Sequence, residues 1–164
     1  MHVIFRRLKE LDFAQLMLVY EEGNQNNGKK KYPHLSEDEQ IKRVEMDLYD
    51  YLQQDFFRKE NAFYGVLILE NQYVCALRME PYLDGFLLEA LETRPHFRNC
   101  GYATQLLKSV LAEMGDVRVY SHVKSHNFAS LNVHKKCGFI EIKDYARYLD
   151  GSVSANAVTL CYQK

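Results

Sequence analysis

Phe86-Leu87-Leu88-Glu89-Ala90-Leu91-Glu92-Thr93-Arg94-Pro95-His96-Phe97-Arg98-Asn99-Cys100-Gly101-Tyr102-Ala103-Thr104 is the stretch on which the reading of the chain turns. Residues 86–93 read as a strand, and a short polar loop holding Pro95 follows. A helix then runs over residues 103–114, where Leu106, Leu107, Val110, Leu111 and Met114 form one apolar stripe and Gly115 is placed to end it. A loop entering a helix N-terminus offers unpaired backbone N–H groups and the positive end of the helix dipole, which suits phosphate. Here the loop carries Arg98, Gly101 and Ala103 at the spacing R-x-x-G-x-A. Gly101 lets a ligand approach the backbone closely, Ala103 keeps the first turn narrow, and Arg98 adds a permanent cation with several donors. The chain has no G-x-x-x-x-G-K-[ST], and no G-x-G-x-x-G follows the strand. Taken by itself, the spacing also describes a glycine in an ordinary helix-entry turn.

Outward from this stretch, residues 2–7 read as a first strand. Asp12 with Gln15, and Ser36 with Glu39, are capping-box pairs that open two helices. The second helix repeats Ile41, Val44, Leu48, Tyr51 and Leu52 at helical spacing. Between the two lies the polar run of residues 21–31, rich in Asn, Gly and Lys, which is expected to be a mobile surface loop. Residues 62–69 and 73–79 form a hairpin pattern, and Asp84-Gly85 is the turn before the strand at 86–93. Downstream, residues 117–123 alternate as a strand and 127–137 form a helix stopped by Gly138. Two strands follow near 139–148 and 155–162. The expected order is β-α-α-β-β-β-α-β-α-β-β, an α+β or α/β mixed sheet and not a doubly wound one.

Composition narrows the class. The 164 residues contain 47% apolar and 26% charged residues, as a soluble globular chain does. No repeat or Pro/Gly/Ser linker divides them, so one domain over 1–164 is expected. Lys and Arg total 21 against 22 for Asp and Glu, a balance that argues against nonspecific binding to nucleic acid or anionic membrane. Apolar runs such as Val66-Leu67-Ile68-Leu69 are too short to span a bilayer, and no apolar stretch of signal-peptide length follows Arg6 and Arg7. Cys75, Cys100, Cys137 and Cys161 show neither zinc-ligand nor disulfide-framework spacing, so a reducing, cytoplasmic setting and no metal are expected.

A second motif, Asn127-Phe-Ala-Ser130-Leu-Asn-Val-His134-Lys-Lys-Cys-Gly138-Phe139, starts a helix after the next strand. Together the two stretches resemble the GNAT superfamily of N-acetyltransferases. Arg98 to Ala103 match its R/Q-x-x-G-x-G/A loop. Asn127, Ser130, Gly138 and Phe139 match its N-x-x-A/S-x-x-x-Y-x-x-x-G-F helix. The resemblance is specific across residues 86–139 and weaker in the N-terminal half. It implies a central twisted mixed sheet flanked by about four helices, and acetyl transfer from acetyl-CoA to a primary amine by direct attack in a ternary complex.

The resemblance also assigns roles. Leu91 and Thr93 would make main-chain contacts to the pantetheine arm from a bulged strand. The backbone of Arg98, Asn99, Cys100, Gly101, Tyr102, Ala103 and Thr104 would bind the diphosphate. Asn127 would bond the pantetheine amides, with Ser130 and His134 beside it. The family commonly has Tyr where this chain has His134, and that tyrosine often protonates the departing thiolate. An imidazole can do the same near neutral pH, or it can simply pack at the helix end.

For the base, relatives often place a Glu or His on the strand before the loop, and Glu89 holds that kind of position. On a regular strand Leu87, Glu89 and Leu91 share a face and Glu92 lies on the other, unless a bulge near Ala90 brings Glu92 round. Glu89 is the first choice and Glu92 the second. The plainer reading of Glu89 is a pair with Arg78, and a chain of waters is a further route for the proton.

Among other polar residues, His122 with His126 and His134 with Cys137 lack the partners a metal needs. The resemblance makes Tyr32, Pro33, His34, Tyr145 and Tyr148 candidates for the acceptor pocket, since that family often uses the segment between the first two helices and the late strands for it. The acceptor is a small molecule or peptide amine not further readable, and exposed sheet edges favour a homodimer. Two other classes stay open: a non-catalytic acyl-CoA-binding sensor with the same fold, and an interaction module that binds no CoA.

Overall fold

The computed structural model describes residues 1–164. Seven strands form one sheet in the order β1-β2-β3-β4-β5-β9-β6. They are β1 (His2–Phe5), β2 (Phe63–Leu69), β3 (Gln72–Tyr82), β4 (Gly85–Thr93), β5 (Val119–Lys124), β6 (Ile140–Lys143) and β9 (Ala157–Tyr162). Every neighbouring pair is antiparallel except β4 with β5. The short strands β7 (Ala146–Arg147) and β8 (Val153–Ser154) pair separately. The last long strand thus enters the sheet between β5 and β6.

The helices are α1 (Phe13–Val19), α2 (Glu21–Lys31), α3 (Glu37–Gln54), α4 (Tyr102–Met114) and α5 (Phe128–Lys136). Alternation along the strands supplies two cores, one on each face of the sheet. Tyr64, Val66, Tyr73 and Ala76 pack with Leu16, Val19, Leu52 and Phe56 of the N-terminal helical layer. Phe63, Leu67, Leu77, Met79 and Leu88 pack with Leu106, Leu107, Val110 and Leu111 of α4 on the other side.

The polar run at 21–31 is a helix, not a loop, and it makes the helix count five. Its charges suit the helix dipole: Glu21 and Glu22 lie in the first turn and Lys29, Lys30 and Lys31 in the last. Tertiary packing completes it. Gly28 is buried against Gln40 of α3, and the buried Asn24 amide donates to the Met17 sulfur. A run without apolar periodicity gives no warning of this, because the contacts are made by small and amide side chains. The caps at Asp12, Ser36 and Asn127 are formed, and Ser36 with Glu39 makes a complete capping box. Gln15 does not close a box with Asp12. It bonds to Asn71 and Tyr73 and so pins α1 to the sheet.

Candidate active site

The parallel ladder between β4 and β5 is short. It joins Phe86, Leu87 and Leu88 to Val119, Tyr120 and Ser121, and beyond Leu88 the two strands part. On its other side β4 stays paired with β3, where the register slips between Arg78↔Glu89 and Ala76↔Glu92. Ala90 has φ +49°, a left-handed conformation in the middle of a strand, and it is the bulge residue. The Tyr20 hydroxyl donates to the Ala90 carbonyl oxygen at 2.9 Å and so holds the bulge from the helical layer.

The bulge resets which residues share a face. Leu88 and Leu91 both pack into the core beneath α4, whereas Ala90 packs into the core on the α1–α3 face. Glu89 bonds Arg78 on that second face, and Glu92 Oε1 lies 3.1 Å from where a Cβ on Gly23 of α2 would sit. Glu89 and Glu92 therefore stand on one face. On a regular strand Leu91 would share the Glu89 face; the strand instead has the alternative, a bulge near Ala90, and the extra residue shifts the alternation after it by one.

The two carboxylates differ in their surroundings. Glu89 is a Cα partner of Arg78, and the Arg78 Nε donates to its Oε2 at 3.2 Å. Burial pushes the Glu89 carboxyl up, the Arg78 guanidinium opposes this, and the neighbouring Glu80 adds to it. Glu92 has no hydrogen bond or ion pair within the chain. Burial also pushes its carboxyl up, with Arg98 opposing and Glu22 adding. Around Arg78 are Tyr51 and Phe56, whose rings lie under its guanidinium, and the buried Tyr64 hydroxyl, which has no hydrogen-bond partner. Farther along, Glu80 is 1% exposed and is held by Lys59 at 2.5 Å.

The loop into α4 leaves a row of backbone donors without partners. The backbone N–H groups of residues 99–104 donate to no acceptor in the protein, and the first helical bond runs from Gln105 to the Gly101 carbonyl. Asn99 and Gly101 have φ +63° and +80°, which turns successive N–H groups outward, and the space where a Gly101 side chain would project is empty. The exposed Cys100 lies in this turn. Beside it, the Arg94 N–H bonds the Val74 carbonyl on β3, so by alternation Thr93 and Leu91 present their main chain to the gap left by β5. An anion with several oxygens, carried on an arm that bonds like a strand, fits this surface.

The Arg98 side chain departs from that picture. Its guanidinium bonds the Thr93 carbonyl at 3.2 Å and Glu22 of α2 at 2.5 Å, so it ties α2 to the loop. On α5, the Asn127 side-chain oxygen caps the Ser130 N–H, leaving its amide NH2 as the free end. His134 is buried, with Nδ1 2.8 Å from the Ser130 carbonyl and Nε2 2.9 Å from the Ser121 hydroxyl. Burial holds its pKa below the usual histidine range, and the Ser130 bond opposes this.

Of the acceptor-pocket candidates, Tyr32 bonds Asp47 at 2.5 Å with Arg43 over its ring, so it serves the α2–α3 contact instead. Tyr148 packs edge-on against His122, which also meets Tyr82, and Lys143 covers Tyr145. No three His, Cys, Asp or Glu side chains converge as metal ligands do. Tyr20, Ser121 and Glu80 stand beside the candidate site without being singled out by the sequence, whereas Arg78 is the partner that the sequence offers Glu89. Ser121 carried a signal, as a lone hydroxyl between Val119 and Val123 on an apolar strand face.

A short parallel ladder that forks beside a helix N-terminus, with a bulge at the fork, is the arrangement that the resemblance to the GNAT superfamily implies. The profile of the Acetyltransferase (GNAT) family matches residues 30–139. The chain belongs to that family and is an acyltransferase. No curated protein matches it by sequence. Among solved structures, an N-acetyltransferase from Staphylococcus aureus Mu50 is similar over 98% of this chain and 100% of its own, at 20% identity and TM-score 0.68. PaiA N-acetyltransferase from Thermoplasma acidophilum, in complex with coenzyme A, is similar over 100% and 99%, at 12% identity and TM-score 0.64. The ribosomal-protein-S18-alanine N-acetyltransferase from Escherichia coli covers 99% and 94%, at 16% identity and TM-score 0.59. At these identities the likeness is one of fold. No helix is long and apolar enough to cross a membrane.

Proposed function

We propose that residues 1–164 act as one domain that transfers the acetyl group of acetyl-CoA to a primary amine by direct attack in a ternary complex. The observation that carries this reading is the row of unpartnered N–H donors at residues 99–104 beside the opened edge of β4. Those donors bind the diphosphate, and the main chain of Leu91 and Thr93 pairs with the pantetheine amides, helped by the Asn127 side-chain NH2 and by Ser130. The thioester then lies at the fork, where a backbone N–H polarises its carbonyl.

The amine approaches from the face that carries Glu89 and Glu92. An attacking amine must be neutral, and a carboxylate partly withdrawn from water is suited to take its proton. Glu89 is the assigned base because it is the first residue beyond the paired segment and Arg78 fixes its orientation. Glu92 is the alternative, with both oxygens free. His134 serves the departing sulfur. Carboxylates on the acceptor face favour a cationic amine. Four unpaired cysteines support a cytoplasmic setting, and the exposed β6 edge with Ile140 and Ile142 supports self-association into a dimer.

Calorimetric titration with acetyl-CoA, CoA and desulfo-CoA tests the first half, with binding expected for all three. A thiol-release assay across amino acids, polyamines, amino sugars and peptide N-termini tests the second. No heat of binding in folded protein, or no thiol release with any amine, overturns the reading.

A further inference from the structure

The Ser121–His134 hydrogen bond has a defined polarity. The Ser130 carbonyl oxygen beside Nδ1 can only accept, so Nδ1 carries the hydrogen. In the neutral ring Nε2 is then the acceptor, and the Ser121 hydroxyl donates to it at 2.9 Å. An imidazole in this tautomer has no proton to give at Nε2. Once protonated, it donates from Nε2 to Ser121 Oγ, and the hydroxyl hydrogen must turn elsewhere.

Where that hydrogen turns is set by the sheet. Ser121 is partnered with Leu88 in the last pair of the β4–β5 ladder, and its Oγ is 3.4 Å from the Leu88 carbonyl. Ser121 thus stands at the fork itself, while the imidazole lies behind it on α5. We infer that Ser121 is the group that protonates the departing CoA sulfur, and that His134 acts through it as a positioning and proton-supplying residue. This inference rests on the acetyl-transfer reading above.

The step balances. As the tetrahedral intermediate collapses, the C–S bond breaks and its electron pair goes to sulfur. Sulfur takes the Ser121 hydroxyl proton, and Oγ takes the Nε2 proton of the imidazolium, a form that burial disfavours in the free protein and that the negative charge developing on sulfur favours. His134 is left neutral with Nδ1–H on Ser130. The proton that charged it replaces, through solvent, the one the attacking amine released.

Steady-state kinetics of Ser121→Ala, His134→Gln, the double variant and Ser121→Thr test this. Each single removal is expected to lower kcat about 10- to 100-fold. The acetyl-CoA KM and the desulfo-CoA Kd are expected to hold within about threefold. The double variant is expected to be no slower than either single one, because the two residues act in series. Ser121→Thr keeps a hydroxyl and is expected to recover much of the rate. Nitrogen-15 NMR of His134 adds a readout independent of turnover: Nδ1 is expected to be protonated, and the Nε2 signal to move in Ser121→Ala. Wild-type turnover with an undiminished Ser121→Ala variant, or a neutral wild-type His134 whose single hydrogen is on Nε2, overturns the inference and leaves acetyl transfer standing. Absence of transfer by the wild type removes the parent reading instead.

Discussion

The Tyr20 hydroxyl bonds the Ala90 carbonyl oxygen at 2.9 Å, so the end of the first helix is tied to the one left-handed residue of the central strand. A carbonyl turned out of the ladder needs another donor, and only Tyr20 supplies one. Tyr20→Phe is expected to cost about 1 kcal/mol in a denaturant titration. It is also expected to lower kcat/KM about tenfold or more, because the fork is positioned through this bond. Wild-type kinetics in a variant of reduced stability would show that the bulge holds without it.

Glu89 gives the rate a pH signature. Burial raises its pKa, so it is protonated at a pH where an ordinary glutamate is still ionised, and the acid limb of the rate profile is expected to lie correspondingly high. Arg78 opposes that shift. Arg78→Met is therefore expected to move the limb to still higher pH, whereas Glu89→Gln abolishes it. If Glu92→Gln abolishes the limb and Glu89→Gln does not, Glu92 is the base.

Arg98 is held by Glu22 across the mouth of the phosphate loop. Glu22→Gln is expected to release the guanidinium toward the diphosphate and tighten CoA binding severalfold at low salt, an effect that fades as salt screens it. Arg98→Ala is expected to weaken binding. Calorimetry at two ionic strengths separates these outcomes, and equal affinity in wild type and Glu22→Gln would show that the pair does not compete with the ligand.

Glu80 is buried with Lys59 as its cation, but Lys59 is one-third exposed. Lys59→Met is expected to cost on the order of 2–3 kcal/mol, below the loss for a fully buried pair because solvent reaches the lysine. Adding Glu80→Gln is expected to restore most of that loss, since no uncompensated charge remains. Denaturant titrations of the two single variants and the double variant measure the coupling.

Gly85 opens β4 where a side chain would overlap the Arg118 carbonyl, which accepts the Phe86 N–H at 3.0 Å. Gly85→Ala is expected to cost about 1–3 kcal/mol, read as a lower denaturation midpoint. An unchanged midpoint would mean that the β4–β5 ladder can shift.

Periodicity reads well where one face of an element meets a core. It locates the stripe of α4, of which Leu106, Leu107, Val110 and Leu111 are buried and Met114 half-buried, the strands β2 and β3, and the buried positions Val44 and Leu52 of α3. The two motifs open α4 and α5, helices that pack against each other, with the Cys137 thiol reaching the Thr104 carbonyl. What spacing cannot carry is a contact made by polar atoms across distant segments. Helix α2 depends on Asn24 and Gly28, the bulge on Tyr20, and the polarity of His134 on Ser130 and Ser121. Each of these is a bond between groups whose own windows look unremarkable as helix or strand. The faces of Glu89 and Glu92 hang on a related point: strict alternation parts them, and the bulge near Ala90, left open by the sequence, is what brings Glu92 round.

The position of β9 between β5 and β6 has a consequence for biogenesis. During synthesis β6 emerges before the strand it must pair with, and β5 waits with an unpaired edge. The half of the sheet that faces α5 cannot be completed in the order it is made, whereas the β1–β2–β3–β4 half is contiguous apart from its helical insertion. Vectorial folding is therefore expected to stall with the phosphate loop displayed beside an unfinished sheet, and the nascent chain is most exposed to edge-to-edge aggregation at that stage.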